Sequence, residues 1–168
     1  MTRYFKITVL TSLIFILVHQ YSLGQDTSKT INGTWQTLKT QLLRRTGLAT
    51  RFEKVLEQTQ NVDTILIRQL KTNTTLLNNL LNYNQRLASS IVTNIHDKND
   101  SLSRLIRKGF DTLQSDKNFT RTEEFQDITI QLEGTGNRIY IAVRDFNEAC
   151  KSIGRQDLYF KKLWGDEP

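Results

Sequence analysis

The chain has 168 residues, 38% of them hydrophobic, with 23 Lys and Arg against 17 Asp and Glu, and a formal net charge of +6. That length suits one domain with a moderate core, and the mild basic excess alternates with acidic residues instead of forming a patch or stripe, which argues against a nucleic-acid partner. A single cysteine, Cys150, excludes an internal disulfide, and the single proline, Pro168, leaves every internal segment free to be helical.

Arg3 and Lys6 precede an uncharged, mostly apolar stretch from Ile7 to Val18, followed by the small residues Ser22 and Gly24. This pattern predicts a signal peptide over residues 1–24, cleaved between Gly24 and Gln25. A membrane-spanning helix needs about 20 apolar residues and this core has only about a dozen, so a permanent anchor is the second reading. An uncleaved segment would associate the protein with the membrane through its N-terminus. Both readings export residues 25–168 to the periplasm or the membrane-associated cell envelope. Cleavage removes two basic and no acidic residues and leaves a net charge of +4.

A first helix is predicted from about Thr30 to Gln58, with a seam at Ile31, Trp35, Leu38, Leu42, Arg45, Ala49, Phe52 and Leu56 in alternating steps of three and four. Arg45 is the charged residue of that seam. Apolar residues from Val62 to Ile95 keep a helical period that fits one long helix or a helix kinked or broken at Lys71-Thr-Asn-Thr-Thr75, whose helix propensity is poor. The polar run His96-Asp-Lys-Asn-Asp-Ser101 predicts a loop carrying a solvated His96, with Asn99 or Asp100 capping a third helix. That helix turns Leu102, Leu105, Ile106, Phe110 and Leu113 inward and ends at Ser115-Asp-Lys-Asn118.

Thr120 and Glu123 form a capping-box pattern that opens a fourth helix, running to about Lys151 ahead of Gly154. Its seam is Phe125, Ile128, Leu132, Thr135, Ile139, Ala142, Phe146, Ala149 and Ile153, with Cys150 one position off it as a packed thiol. An intermolecular bridge is the other reading of that odd cysteine. The aromatic, basic tail Leu158–Trp164 is expected to fold back onto the helices, since one aromatic turn anchors weakly to a membrane.

Four amphipathic helices with short connections predict an all-α, elongated, antiparallel up-down-up-down four-helix bundle. Pairing Ile31 with Ile153 then sets Arg45 opposite roughly Ile139, within about a turn of Thr135 and Arg138. A buried guanidinium costs several kcal/mol unless its donors are satisfied, so Arg45 marks a polar network. It fixes helix register, snorkels past Gly136, or faces a ligand. No nucleophile elbow, phosphate loop or metal-binding histidine pair is present, so no catalytic residue, metal or cofactor is assigned and a non-enzyme is expected.

The phrase Phe125-Gln-Asp-Ile-Thr-Ile-Gln-Leu-Glu-Gly-Thr-Gly-Asn-Arg-Ile139, continued by Ala142, Arg144, Asp145, Phe146 and Asn147, resembles the C-terminal helix of the LemA family. Trp35 with Gln41-Leu-Leu-Arg-Arg45 and Leu48 resembles that family's N-terminal signature. The motif residues are Arg44, Arg45, Thr135, Asn137 and Arg138. The chain departs from the pattern at Gly136, where the family carries an acid, at Gly47-Leu-Ala-Thr-Arg-Phe52, at Ile153-Gly154, and in lacking the C-terminal Phe-Pro segment.

The resemblance implies a divergent member of a bacterial family of exported or membrane-anchored helical bundles whose molecular role is not established. It points to a non-catalytic, coiled-coil-like envelope protein acting by scaffolding or by binding an envelope protein partner. Oligomeric state is not readable from the sequence. The alternative is a sensory bundle that holds a small anion near Arg44, Arg45 and Arg138, using arginine forks. A third reading places the basic aromatic tail on a membrane surface.

Overall fold

Helix formation in this chain follows from long stretches without proline and from apolar residues spaced in threes and fours. The computed structural model describes residues 2–59, 62–83, 87–114 and 122–160, with side chains from Thr30 onward. They form four helices and no strand: α1 (Thr2–Glu57), α2 (Thr64–Asn82), α3 (Ser89–Gln114) and α4 (Glu123–Ser152). Among the described residues no helix is long and apolar enough to cross a membrane.

In α1 the helix starts at Thr2 rather than at the expected Thr30, and the apolar stretch 7–18 is continuous with the helix that enters the core. From Thr30 on, the predicted seam is buried at Ile31, Leu38, Leu42, Ala49, Phe52 and Leu56, and Leu48 and Val55 widen it. Asp63 caps α2 by accepting a 2.8 Å hydrogen bond from the Ile65 amide. The break at 71–75 does not occur. Thr74 is buried between Leu70 and Leu77, so the seam passes through the polar run and packing overrides propensity.

The expected loop at 96–101 is also absent, because α3 runs unbroken through it. Val92, Ile95, His96, Asn99, Leu102, Ile106, Gly109 and Leu113 are all buried along one face, which makes the polar residues part of the seam and not a connection. Asn99 and Asp100 are therefore helix-interior residues, not caps, and His96 is buried, not solvated. The chain instead leaves the helix after Asn82, where Tyr83 turns to an extended backbone (φ -67°, ψ 126°) and its amide still donates to the Asn79 carbonyl. It re-enters where the Ile91 and Val92 amides donate to the Ala88 carbonyl.

Thr122, not Thr120, caps α4 by accepting from the Phe125 amide at 3.3 Å, and Thr120 lies outside the described residues. Glu123 and Glu124 in the first turn and Lys151 in the last complement the helix dipole. At the other end, Gly154 takes φ 71°, and the amides of Gly154 and Arg155 return to the carbonyls of Lys151 and Cys150. This is the left-handed cap that glycine adopts without penalty.

Helix α1 packs against the other three helices, most extensively on α4, and α2 also packs on α3. The backbones of α3 and α4 do not approach closely. Phe110 bridges that wider gap to Phe125 with ring centres 5.8 Å apart, and also stacks on Phe52 at 4.6 Å. At the other end of the gap, a 3-10 turn (Gln156–Leu158) brings the chain back over the bundle and buries Leu158 and Phe160, the part of the tail expected to fold back that is described, while residues 161–164 lie outside the described residues. The Asn147 side chain clamps Phe160 from both sides of its backbone, donating to its carbonyl and accepting from its amide, each at 2.9 Å.

Gly109 sits where the Phe52 ring meets α3, and a Cβ built there would lie 2.6 Å from a ring carbon. Gly136 has open space around it, and a Cβ at Gly134 would meet only the Arg138 side chain at 3.8 Å, so neither glycine marks a close backbone approach. Gly109→Ala is expected to lower stability in urea unfolding by about 1–3 kcal/mol through overpacking. Gly136→Ala should raise it by up to about 1 kcal/mol through helix propensity alone.

Candidate functional site

Two contacts set the register of α1 on α4. Trp35 meets Phe146 with ring centres 5.5 Å apart, and Arg51 pairs with Asp127 at 3.0 Å. As α1 advances, its partners on α4 recede. Counting ten residues back from Phe146 and six on from Asp127 brings Arg45 level with residues 133–136. The inward residue there is Thr135, which has no exposed surface. The alignment differs from the expected pairing with Ile139 by about one turn. Its cause is Ile153, which is 37% exposed and so is not a seam residue opposite Ile31.

Arg45 also reaches α3, where its Nη1 donates to Asn99 Oδ1 at 3.3 Å. Burial lowers the guanidinium pKa to about 10, and the nearby Asp100 carboxylate opposes that shift. The folded chain thus holds this proton less tightly than the unfolded chain. The desolvation penalty is in full force at neutral pH and is relieved as pH rises through about 10. Asp100 also pairs with Arg104 at 2.7 Å, so one carboxylate faces two arginines.

Several covered polar atoms at this level have no hydrogen-bond partner: Arg45 Nε, Asn99 Nδ2 and Thr135 Oγ1, with Gln41 Oε1 and His96 Nε2 about a turn away along their helices. His96 Nδ1 lies 3.1 Å from Asp97, and its ring meets Phe160 edge-on at 5.4 Å. On the α2 side, the Thr46 hydroxyl donates to the Leu43 carbonyl at 2.8 Å and to Asn78 Oδ1 at 3.5 Å.

Of the residues singled out from sequence, Arg45 and Thr135 thus lie at one level of the bundle, whereas Arg44, Asn137 and Arg138 are exposed. Gly24 and Gln25 fall within α1 ahead of the residues whose side chains are described. Asn99, Asp100 and His96 were missed as site residues because the seam of α3 was traced through apolar residues only. Continuing its threes and fours through polar positions would have found Asn99. Among the described residues, no three His, Cys, Asp or Glu side chains are placed to share a metal ion.

A separate cavity of about 270 Å³ lies between α1, the end of α2 and the start of α3, lined by Trp35, Lys39, Leu81 and Ile91 among others. No motif residue but Trp35 borders it. Cys150 is fully buried, and desolvation raises its thiol pKa. A thiol reagent is expected to label it only as the protein unfolds, with no bridged dimer on a non-reducing gel.

Removing Asn99 takes away the hydrogen-bond acceptor of a buried guanidinium. Asn99→Leu is expected to cost about 1–3 kcal/mol in chemical denaturation. Adding Arg45→Met should recover most of that loss, since a buried polar pair replaced by apolar residues is often neutral or better. Equal and additive losses in the two single variants would show that the pair does not interact. Neither the models of known protein families nor the curated proteins give a match to this chain.

Proposed function

We propose that this chain is a divergent LemA-type protein of the bacterial cell envelope, exported by its N-terminal segment, that acts by binding a protein partner and not by catalysis. The helices run alternately up and down in this reading, supported by the reversed order of contacts between α1 and α4 and between α1 and α2. On α2 that order is Thr46 with Asn78, then Glu53 with Lys71. The two phrases that resemble the family lie on α1 and α4, the pair of helices with the most extensive contact.

The observation that carries the binding role is the outer face of α4. Ile130 and Ile141 are 69% and 48% exposed, and Tyr140 is 51% exposed. Ile130 and Ile141 are eleven residues apart, three helical turns, so they lie in one stripe facing away from the buried Ile128, Leu132, Thr135 and Ile139. Large apolar side chains aligned on the solvent side of a helix fit a helix-on-helix contact.

A photo-crosslinker placed at Ile130 or Ile141 in cells is expected to capture an envelope protein that the same group at the exposed Arg68 does not. Recovery of nothing above that control would sink the partner reading. Mass spectrometry of protein from fractionated cells should find the N-terminus at Gln25 in the envelope fraction. An intact Met1 in the cytosol would overturn export.

A further inference from the structure

We propose that Arg45, Asn99 and Thr135 line an interior slot between α3 and α4 that binds a small carboxylate anion of the size of formate or acetate. This is independent of the partner reading above, and it differs from a surface site at Arg44 and Arg138, both of which are exposed.

The slot follows from the packing. Both α3 and α4 lie on α1 but their backbones stay apart, and phenylalanines close the gap at its two ends: Phe110 on Phe125 at one, Phe160 on His96 at the other. Between those ends sit buried polar residues: Asn99 and Thr135 have no exposed surface, and Arg45 reaches Asn99 from α1 and is itself partly exposed.

The unspent hydrogen-bonding capacity at this level is donor capacity. Because Asn99 Oδ1 already accepts from Arg45, the free end of that amide is its NH2 group. Arg45 Nε carries an N–H with no acceptor. Thr135 keeps its hydroxyl unspent, although Thr34, Thr37, Thr50 and Thr129 each return theirs to the carbonyl a turn earlier. Charge points the same way, since Asp100 is shared between Arg45 and Arg104. Three donors and a net positive charge in a desolvated slot fit a monovalent, planar acceptor with two oxygens.

Two groups nearby are less one-sided. The Gln41 amide presents its oxygen, and a half-turn of that group, identical in shape, presents its donors instead. The His96 Nε2 donates or accepts according to tautomer. Neither removes the donor excess at Arg45, Asn99 and Thr135.

The test is thermal unfolding of the full chain at fixed pH and ionic strength, with sodium formate or acetate replacing sodium chloride. A ligand that binds the folded state alone raises the melting temperature with its concentration. The expected result is a saturable rise in formate or acetate that Arg45→Met abolishes and the charge-matched control Arg68→Gln retains. Thr135→Val, which removes one donor and keeps the shape, should weaken the apparent affinity several-fold even if Arg45→Met fails to fold. In parallel, the Nε–H resonance of Arg45 should shift on adding formate. Melting temperatures that are identical in all three salts overturn the site, as does an increment that survives Thr135→Val unchanged.

Discussion

Everything in this molecule hangs on the buried face of α1. It is the helix that contacts each of the other three, and for α4 it is the helical neighbour whose backbone comes close. Leu38, Leu42, Phe52, Val55 and Leu56 lose all contact with solvent along that face. Burying a side chain of this size is worth roughly 1.5–3 kcal/mol, so a polar substitution at any of these positions strikes the shared support of all the helices. Beyond α1, α4 is held by the Phe110–Phe125 contact and by the return of the chain after Gly154, where Asn147 grips the Phe160 backbone.

That arrangement explains why polar residues collect where they do. With α3 and α4 both resting on α1 but held apart from each other, aromatic contacts bridge the two ends of the gap, and Arg45, Asn99 and Thr135 lie at its middle level. A guanidinium in that position carries a desolvation penalty, visible in its lowered pKa. It also gives the helices a way to tell one register from another. Slipping α3 by a turn would leave Arg45 facing Leu102 or Ile95 in place of Asn99, with its donors unmet in an apolar surround.

Much of the core was legible before any coordinates. The seam of α4 is buried at every predicted position from Phe125 to Ala149, and that of α1 at all but Trp35 and Arg45, which are partly covered. These helices were readable because their apolar residues recur without interruption. The second and third helices were misdivided for the opposite reason: Thr74, His96 and Asn99 occupy seam positions, and a polar residue on the core face looks the same in sequence as a polar residue in a loop. Only neighbours that exclude water separate the two cases. Likewise Arg44 and Arg45 are adjacent arginines in one phrase, yet one points to solvent and the other into the bundle, because consecutive residues diverge by about 100° around a helix.

By itself the sequence determined that this is an all-helical chain, that α1 and α4 each present one continuous apolar stripe, and that Arg45 lies on such a stripe. Helical period and side-chain character decide those points locally. Tertiary structure alone decided what Arg45 meets. The choice of Asn99, the one-turn register that brings Thr135 level with it, and the separation of α3 from α4 all depend on how three helices of different length and bulk settle against one another. Gly109 shows the same dependence: its missing side chain is meaningful only because Phe52, more than fifty residues away in sequence, comes to rest against it.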